Sequence, residues 1–171
     1  KNNGISLDSD LDSPFLGPSF SDDFIEAILK ECKLNYRKVD DISTNVAKLL
    51  TEQKIIGWFQ GRAEFGHRAL GNRSILVDPR RTDAKDLLNE KIKRRESFRP
   101  FAPSILKEAV KDYFVQNDTV PFMEKVFDIK KEKQNEIPAV THVDGTGRLQ
   151  TVDKTTSPRY HKLISKFAEK S

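Results

Sequence analysis

Gly57-Trp58-Phe59-Gln60-Gly61-Arg62-Ala63-Glu64-Phe65-Gly66-His67-Arg68-Ala69-Leu70-Gly71-Asn72-Arg73-Ser74 holds four glycines and three arginines where one apolar run gives way to another. The run at 54–59 (KIIGWF) predicts a buried strand. The run at 74–77 (SILV) predicts a second, ended by Asp78-Pro79. Glycines let a backbone come close to a ligand and adopt unusual dihedrals. Arginines supply planar, permanently charged forks suited to phosphate or carboxylate. The same residues also suit a purely structural loop, its arginines paired with Glu64, Asp78 and nearby carbonyls. The residues alone leave both readings open.

Working outward, the N-terminal side predicts two helices. Ser21 is a good N-cap, followed by Asp22 and Asp23 in a first turn, with Phe24, Ile25, Ile28 and Leu29 at helical spacing over 22–31. Cys32 follows that apolar set and reads as a packed thiol. A helix over 43–53 turns Val46, Ala47, Leu49 and Leu50 inward. Residues 1–19, with Gly4, Gly17, Pro14 and Pro18, read as a linker, and 20–171 as one domain cut at both ends.

On the C-terminal side, 83–95 is the clearest helix, with Ala84, Leu87, Leu88 and Ile92 on one face and Thr82 or Asp83 as its cap. A short strand is expected at 101–105, a helix at 106–114, extended chain at 120–129 and a charged loop at 130–136. Strands at 140–143 and 149–152 flank Asp144-Gly145-Thr146-Gly147, a hairpin-like turn. Ser157-Pro158 opens a last helix over 158–169. Strands interleaved with helices give an α/β class. The hairpin argues for a mixed sheet over one core.

Charge is unevenly spread. Residues 54–111 are net +7 in a chain of net +4, which suggests an anionic partner: nucleotide, phosphates or nucleic acid. Cys32 is the only cysteine, so an intramolecular disulfide is impossible. The three histidines lack metal-ligand spacing, and no metal site is expected from this chain. The sequence has neither a membrane-length apolar run nor a signal-peptide pattern, so a cytoplasmic, non-membrane protein is the expectation. Walker A, Rossmann and nucleophile-elbow motifs are all absent.

Two further segments concentrate chemistry. From Asn89 to Ser104, a cation-rich helix runs into a proline-pinned stretch, Arg99-Pro100-Phe101-Ala102-Pro103-Ser104, in which Lys93 and Arg99 could converge on one anion. From Thr141 to Val152, a tight turn presents Arg148 with His142, Asp144 and Thr146 nearby. A solvated helix face and a surface hairpin are the plain alternatives.

Together the segments Gly61–Ser74, Arg95–Ser104 and Thr141–Val152 resemble the C-terminal domain of nodulation-protein U and of cephalosporin or tobramycin O-carbamoyltransferases. That family reads Gly-Arg-x-Glu-Phe-Gly-Pro-Arg-Ala-Leu-Gly-Asn-Arg-Ser, then Arg-Glu-x-Phe-Arg-Pro-Phe-Ala-Pro-Ser, then Thr-His-x-Asp-Gly-Thr-x-Arg-x-Gln-Thr-Val. His67 departs from its usual proline. The resemblance implies a YrdC-like α/β domain, a twisted mixed β-sheet with flanking helices. Such a domain binds ATP (with Mg2+) and carbamoyl phosphate and forms carbamoyl adenylate. It also implies a partner, a larger sugar-kinase-like domain of the same polypeptide that binds iron and transfers the carbamoyl group to a hydroxyl.

By the match, Lys93, Arg99 and Arg148 form the catalytic cationic trio. Arg62, Arg68, Arg73, Ser104 and Thr146 join them in binding ATP and carbamoyl phosphate, the three arginines along a path toward the larger domain. The family's Ser/Asn pair lies in an Asn-Thr-Ser-Phe-Asn segment past the last helix, so the resemblance implies a chain ending before it and inactive alone. The other classes are an RNA-binding module and a domain that only docks the larger one. The aromatic residues form no stacking pattern of the RNA-recognition kind, which argues against nucleic acid.

Overall fold

The computed structural model describes residues 13–171. The start of the expected linker, residues 1–12, lies outside them. The described part is a mixed α/β chain of short elements. Helix α1 (Asp22–Glu31) is capped as expected, Ser21 Oγ accepting from the Phe24 amide at 3.2 Å. Helix α2 (Ile42–Thr51) is capped by Asp41, which accepts from Thr44 N. Strands β1 (Ile56–Phe59) and β2 (Arg73–Leu76) pair antiparallel, Ile56 opposite Leu76 and Phe59 opposite Arg73. The glycine–arginine loop of 60–72 therefore closes a long hairpin.

Helix α3 (Ala84–Leu87) widens into a π-helical turn over Leu88–Lys93 and ends at Arg94 in the left-handed region (φ 47°). The expected 3.6-residue periodicity breaks there. Leu88 and Asn89 face inward, while Ile92 is half exposed. Asp83 makes no cap bond and instead pairs with Arg81.

Strand β3 (Ser104–Leu106), a 3-10 turn and α4 (Val110–Tyr113) follow. Then come β4 (Val126–Asp128), α5 (Lys131–Gln134, a short helix where a charged loop was expected), β5 (Thr146–Arg148), β6 (Gln150–Val152) and α6 (Pro158–Ala168).

The expected hairpin of 140–143 with 149–152 is not formed. Pro138–Val140 is a 3-10 turn, β5 pairs antiparallel with β4, and β6 pairs parallel with β3. The turn itself is real: Gly145 takes φ 82° and its amide donates to His142 O. The single residue between β5 and β6, Leu149, hands the chain from one pairing to the other. The strands are thus arranged as three two-stranded ladders, two antiparallel and one parallel, rather than one continuous sheet.

The core likewise divides in two. Val110, Phe114, Val120, Phe127, Ile129, Ile137, Val140 and Leu149 form one cluster. Val46, Ala47, Leu50, Trp58, Val152, Tyr160 and Leu163 form the other, where α2 and α6 pack together beside β1. Strand β6 and its approach contribute to both, through Val152 and Leu149. Helix α1 lies apart from both clusters, since its Phe24, Ile25 and Ile28 and the following Cys32 are exposed. Cys32 is therefore a surface thiol, not the packed one expected. Its neighbours repeat at helical spacing, but no described element covers them.

Gly71 shows how tightly the long loop is fixed. Its φ is 105°, its carbonyl accepts from the buried Trp58 Nε1 at 2.7 Å, and a Cβ there would overlap the Tyr160 ring. Gly71→Ala therefore combines a strained dihedral with a steric clash. The expected cost is about 2 kcal/mol, read as a lower midpoint in chemical denaturation.

Candidate functional site

The three sequence segments meet at β3 and β6. Ser104 lies opposite Gln150 in the parallel ladder, and its hydroxyl donates to Gln150 Oε1 at 2.8 Å. The amide of the buried Gln150 donates in turn to Leu70 O at 2.7 Å. One side chain thus ties the loop of 60–72, the proline-pinned stretch and the Arg148 strand together.

Beside this junction opens a cleft of about 740 Å³, within the usual range for small-molecule sites. Its walls include Arg68, Lys93, Arg95, Arg99 and Arg148 and, among the described residues, no aspartate or glutamate side chain. Arg99 is shared with the exposed Glu96 at 3.2 Å. Arg68, Lys93 and Arg148 make no ion pair and no side-chain hydrogen bond among the described residues. Uncompensated cations facing one cavity raise its affinity for anions, and more so where low-dielectric walls replace water. Here Phe101, Pro103, Ile105 and Tyr160 form part of that apolar wall.

A smaller hollow shares His67, Ala69, Ser74, Ile75 and Lys93 with the cleft and adds Gly66, Trp58 and Arg73. Lys93 therefore borders both spaces.

The expected site residues separate by position. Lys93, Arg99, Arg148, Arg68 and Ser104 line the cleft. Arg73 lines the smaller hollow while donating to Gly66 O at 2.9 Å. Arg62 lines neither. Its guanidinium donates to Leu16 O and Gly17 O, which, with the Gly17–Ala63 backbone bond, straps residues 14–18 along the loop. Thr146 is also outside the lining, its hydroxyl held between Asp144 and His142.

Two organising residues escaped the sequence reading. Asn89, fully buried on the π turn, donates to Ser97 O at 3.0 Å and Arg99 O at 2.9 Å and accepts from Arg95 Nε at 2.7 Å. The wide turn and the left-handed Arg94 fold the chain back over the helix, and Asn89 clamps the returning segment. Arg95 then stacks over the Phe101 ring at 4.8 Å. A π turn beside a cationic cleft fits the tendency of such turns to occur at functional sites. Asn89→Leu keeps the volume and removes three hydrogen bonds. Anion affinity of the cleft is expected to fall about tenfold, the equivalent of roughly 1.4 kcal/mol, as Arg95 and Arg99 lose their common anchor. Calorimetry with pyrophosphate measures it.

The other is Glu64, read from sequence only as an ion-pair partner. It is buried, and its Oε1 accepts from the amides of Leu70 (2.7 Å), Asn72 (2.8 Å) and Arg73 (3.1 Å), with Arg73 Nε at 3.6 Å from Oε2. The carboxylate is the hub around which the loop turns.

His142, a cleft residue, has its Nδ1 2.9 Å from Thr146 Oγ1, while its Nε2 is buried without a partner. Burial holds the imidazole pKa below its usual value; Arg148 and Lys85 add to the effect and Asp144 opposes it. Among the described residues, no three His, Cys, Asp or Glu side chains gather as a metal site. No helix among them is long and apolar enough to cross a membrane.

Residues 47–171 match the family model described as Carbamoyltransferase C-terminus. Among similar proteins, nodulation protein NolO of Bradyrhizobium diazoefficiens is 47% identical over 81% of this chain and 26% of its own length. A 3'-hydroxymethylcephem-O-carbamoyltransferase of Streptomyces clavuligerus is 38% identical over 72% of the chain and 23% of its own length. An uncharacterized Synechocystis protein is 42% identical over 90% of the chain and 29% of its own length. The chain thus spans about a quarter of the length of these relatives.

Proposed function

We propose the function of this chain from one premise: it belongs to the carbamoyltransferase C-terminal family. Its cleft binds ATP and carbamoyl phosphate and forms carbamoyl adenylate, which a sugar-kinase-like domain of the same polypeptide uses to carbamoylate a hydroxyl. The observation that carries this reading is the cleft wall itself, five cations without a carboxylate side chain, drawn from all three sequence segments. Both substrates are polyanions. Their mutual repulsion must be offset before the reacting atoms can meet, and fixed cations do this without reorganising during the reaction. The reading includes a YrdC-like arrangement of the domain, supported by its mixed α/β content, and a cytoplasmic setting where both substrates occur.

Stoichiometry defines the chemistry. Carbamoyl phosphate, ATP and one water give carbamoyl adenylate, pyrophosphate and phosphate. Water cleaves carbamoyl phosphate to carbamate and phosphate, and a carbamate oxygen then bonds to the α-phosphorus as the bond from the α-phosphorus to the bridging oxygen breaks and pyrophosphate leaves. Lys93, Arg99 and Arg148, which line the cleft, bind the phosphates and stabilise charge on the α-phosphoryl and its leaving group. Arg68 extends the cationic wall toward the smaller hollow, where Arg73 stands. No side-chain nucleophile is needed. Mg2+ would arrive on the nucleotide, the described residues of the cleft including no carboxylate side chain to hold it.

The test is release of pyrophosphate and phosphate by the full-length polypeptide. One of each per turnover, dependent on both substrates, is expected. Release of ADP, or pyrophosphate formation indifferent to carbamoyl phosphate, would overturn the reading.

A further inference from the structure

His142 lines the cleft, and its Nε2 is a buried acceptor without a partner among the described residues. Thr146 Oγ1 lies 2.7 Å from Asp144 Oδ1 and 2.9 Å from His142 Nδ1. The hydroxyl has one proton, and Asp144, its carboxyl held below the usual carboxylate range chiefly by Thr146, can only accept. Thr146 therefore donates to Asp144 and must accept from Nδ1–H. That assigns the tautomer: in the neutral ring, Nε2 carries the lone pair.

The backbone reinforces this, with His142 N donating to Thr146 O and Thr146 N to Asp144 Oδ1. Nε2 is buried and without a partner among the described residues, yet the ring lines the cleft. A buried acceptor left unpaired is costly, and native proteins rarely leave one without a reason. The cations of the wall bind phosphate. What they do not supply is an acceptor for a ligand N–H.

We infer that His142 Nε2 accepts a hydrogen bond from the amino group of the carbamoyl moiety, making His142 the residue that distinguishes carbamoyl phosphate from acyl phosphates that carry a methyl in its place. The inference rests on the proposed substrate reading and deepens it. Arg148, on the strand that leads away from the same turn, is the nearest cation of the trio in sequence. Both residues line the one cleft, so in this reading a phosphate held by Arg148 leaves the carbamoyl group to His142. The arrangement Asp144–Thr146–His142 is a positioning relay: it moves no proton and keeps the lone pair turned inward. A site built around such an acceptor rejects an analogue lacking the donor, because the acceptor is then left unpaired in the complex.

The experiment measures competition of carbamoyl phosphate and acetyl phosphate for the full-length polypeptide by calorimetry, with ATP affinity measured in parallel. The wild type is expected to prefer carbamoyl phosphate at least tenfold. His142→Phe should bring the ratio near one, and Thr146→Val, which frees the ring to choose its tautomer, should reduce it severalfold. His142→Gln, which offers an amide oxygen in a similar place, should restore part of it. Phosphate affinity and the folded state serve as controls in every variant.

A wild-type ratio near one, or a ratio unchanged in both His142→Phe and Thr146→Val, would overturn the inference and leave Nε2 to a bound water. A fall in ATP affinity with the ratio unchanged would assign the acceptor to the base or ribose and overturn it too. Failure of the wild type to bind either acyl phosphate would instead remove the substrate reading on which the inference rests.

Discussion

Replacing Arg148 with alanine in the full-length polypeptide is expected to lower carbamoyl-dependent pyrophosphate release by about 10²–10³-fold, the usual loss when one preorganised donor to developing charge is removed. Arg148 lines the cleft and its guanidinium makes no ion pair or hydrogen bond among the described residues. Its charge is therefore available to a ligand and does little for the fold. Stability should consequently change by no more than about 0.5 kcal/mol, as for other exposed side chains without partners. Lys93→Ala is expected to behave alike. Steady-state pyrophosphate release, alongside a denaturation curve, separates the outcomes. Equal losses of activity and stability would make Arg148 a structural residue.

Glu64→Ala should have the opposite signature. Three backbone amides, those of Leu70, Asn72 and Arg73, lose their common acceptor in a buried place. Each orphaned donor costs about 1–3 kcal/mol, so the expected local loss is about 4 kcal/mol or more. Hydrogen exchange at those three amides is the direct readout, and they should become nearly unprotected. Glu64→Gln retains an acceptor oxygen and should recover much of the protection. If the amides stay protected in Glu64→Ala, the loop is held by other means, and Trp58, Gly71 and Gln150 are the groups to consider.

These two predictions show where the sequence was readable. Local signals were sound: the Ser21 cap, the Pro158 start of α6 and the two strands flanking the glycine–arginine loop all appear, although β1, expected to be buried, is buried only at Trp58 because it pairs on one side in a two-stranded hairpin. They depend on chain chemistry within a few residues. Pairing between distant segments was not readable in the same way. The turn at 142–145 suggested a hairpin, yet its flanking chain pairs with β4 and β3 instead, because a turn limits direction without choosing the partner. The π turn was invisible because Ala84, Leu87, Leu88 and Ile92 fit an ordinary helix. Helix α1 shows the converse: periodicity found the helix but could not say that its apolar face would remain uncovered.

For the site, the motif arginines of 62–73 looked equivalent, and the structure divides them. Arg62 straps the chain, Arg73 braces Gly66, and only Arg68 faces the larger cleft. Spacing could not tell them apart, since each role is set by residues far away in sequence or by loop geometry. Asn89 had no signal beyond its residue type, and the motif that holds His142 gave no sign that its Nε2 would be left without a partner. A buried polar side chain announces itself only when the groups that satisfy it, or fail to, are in place.

The central claim is that one cleft, with cations from three sequence segments set in an apolar wall, holds ATP and carbamoyl phosphate together. Calorimetric titration of the full-length polypeptide with each ligand, alone and in the presence of the other, measures this directly when paired with the Lys93→Ala/Arg148→Ala double variant. The account predicts saturable binding of both ligands at one site each per chain and a loss of at least tenfold in affinity for both in the variant. Undiminished binding in the double variant, or no binding of either ligand alongside steeply salt-dependent binding of RNA, would contradict it.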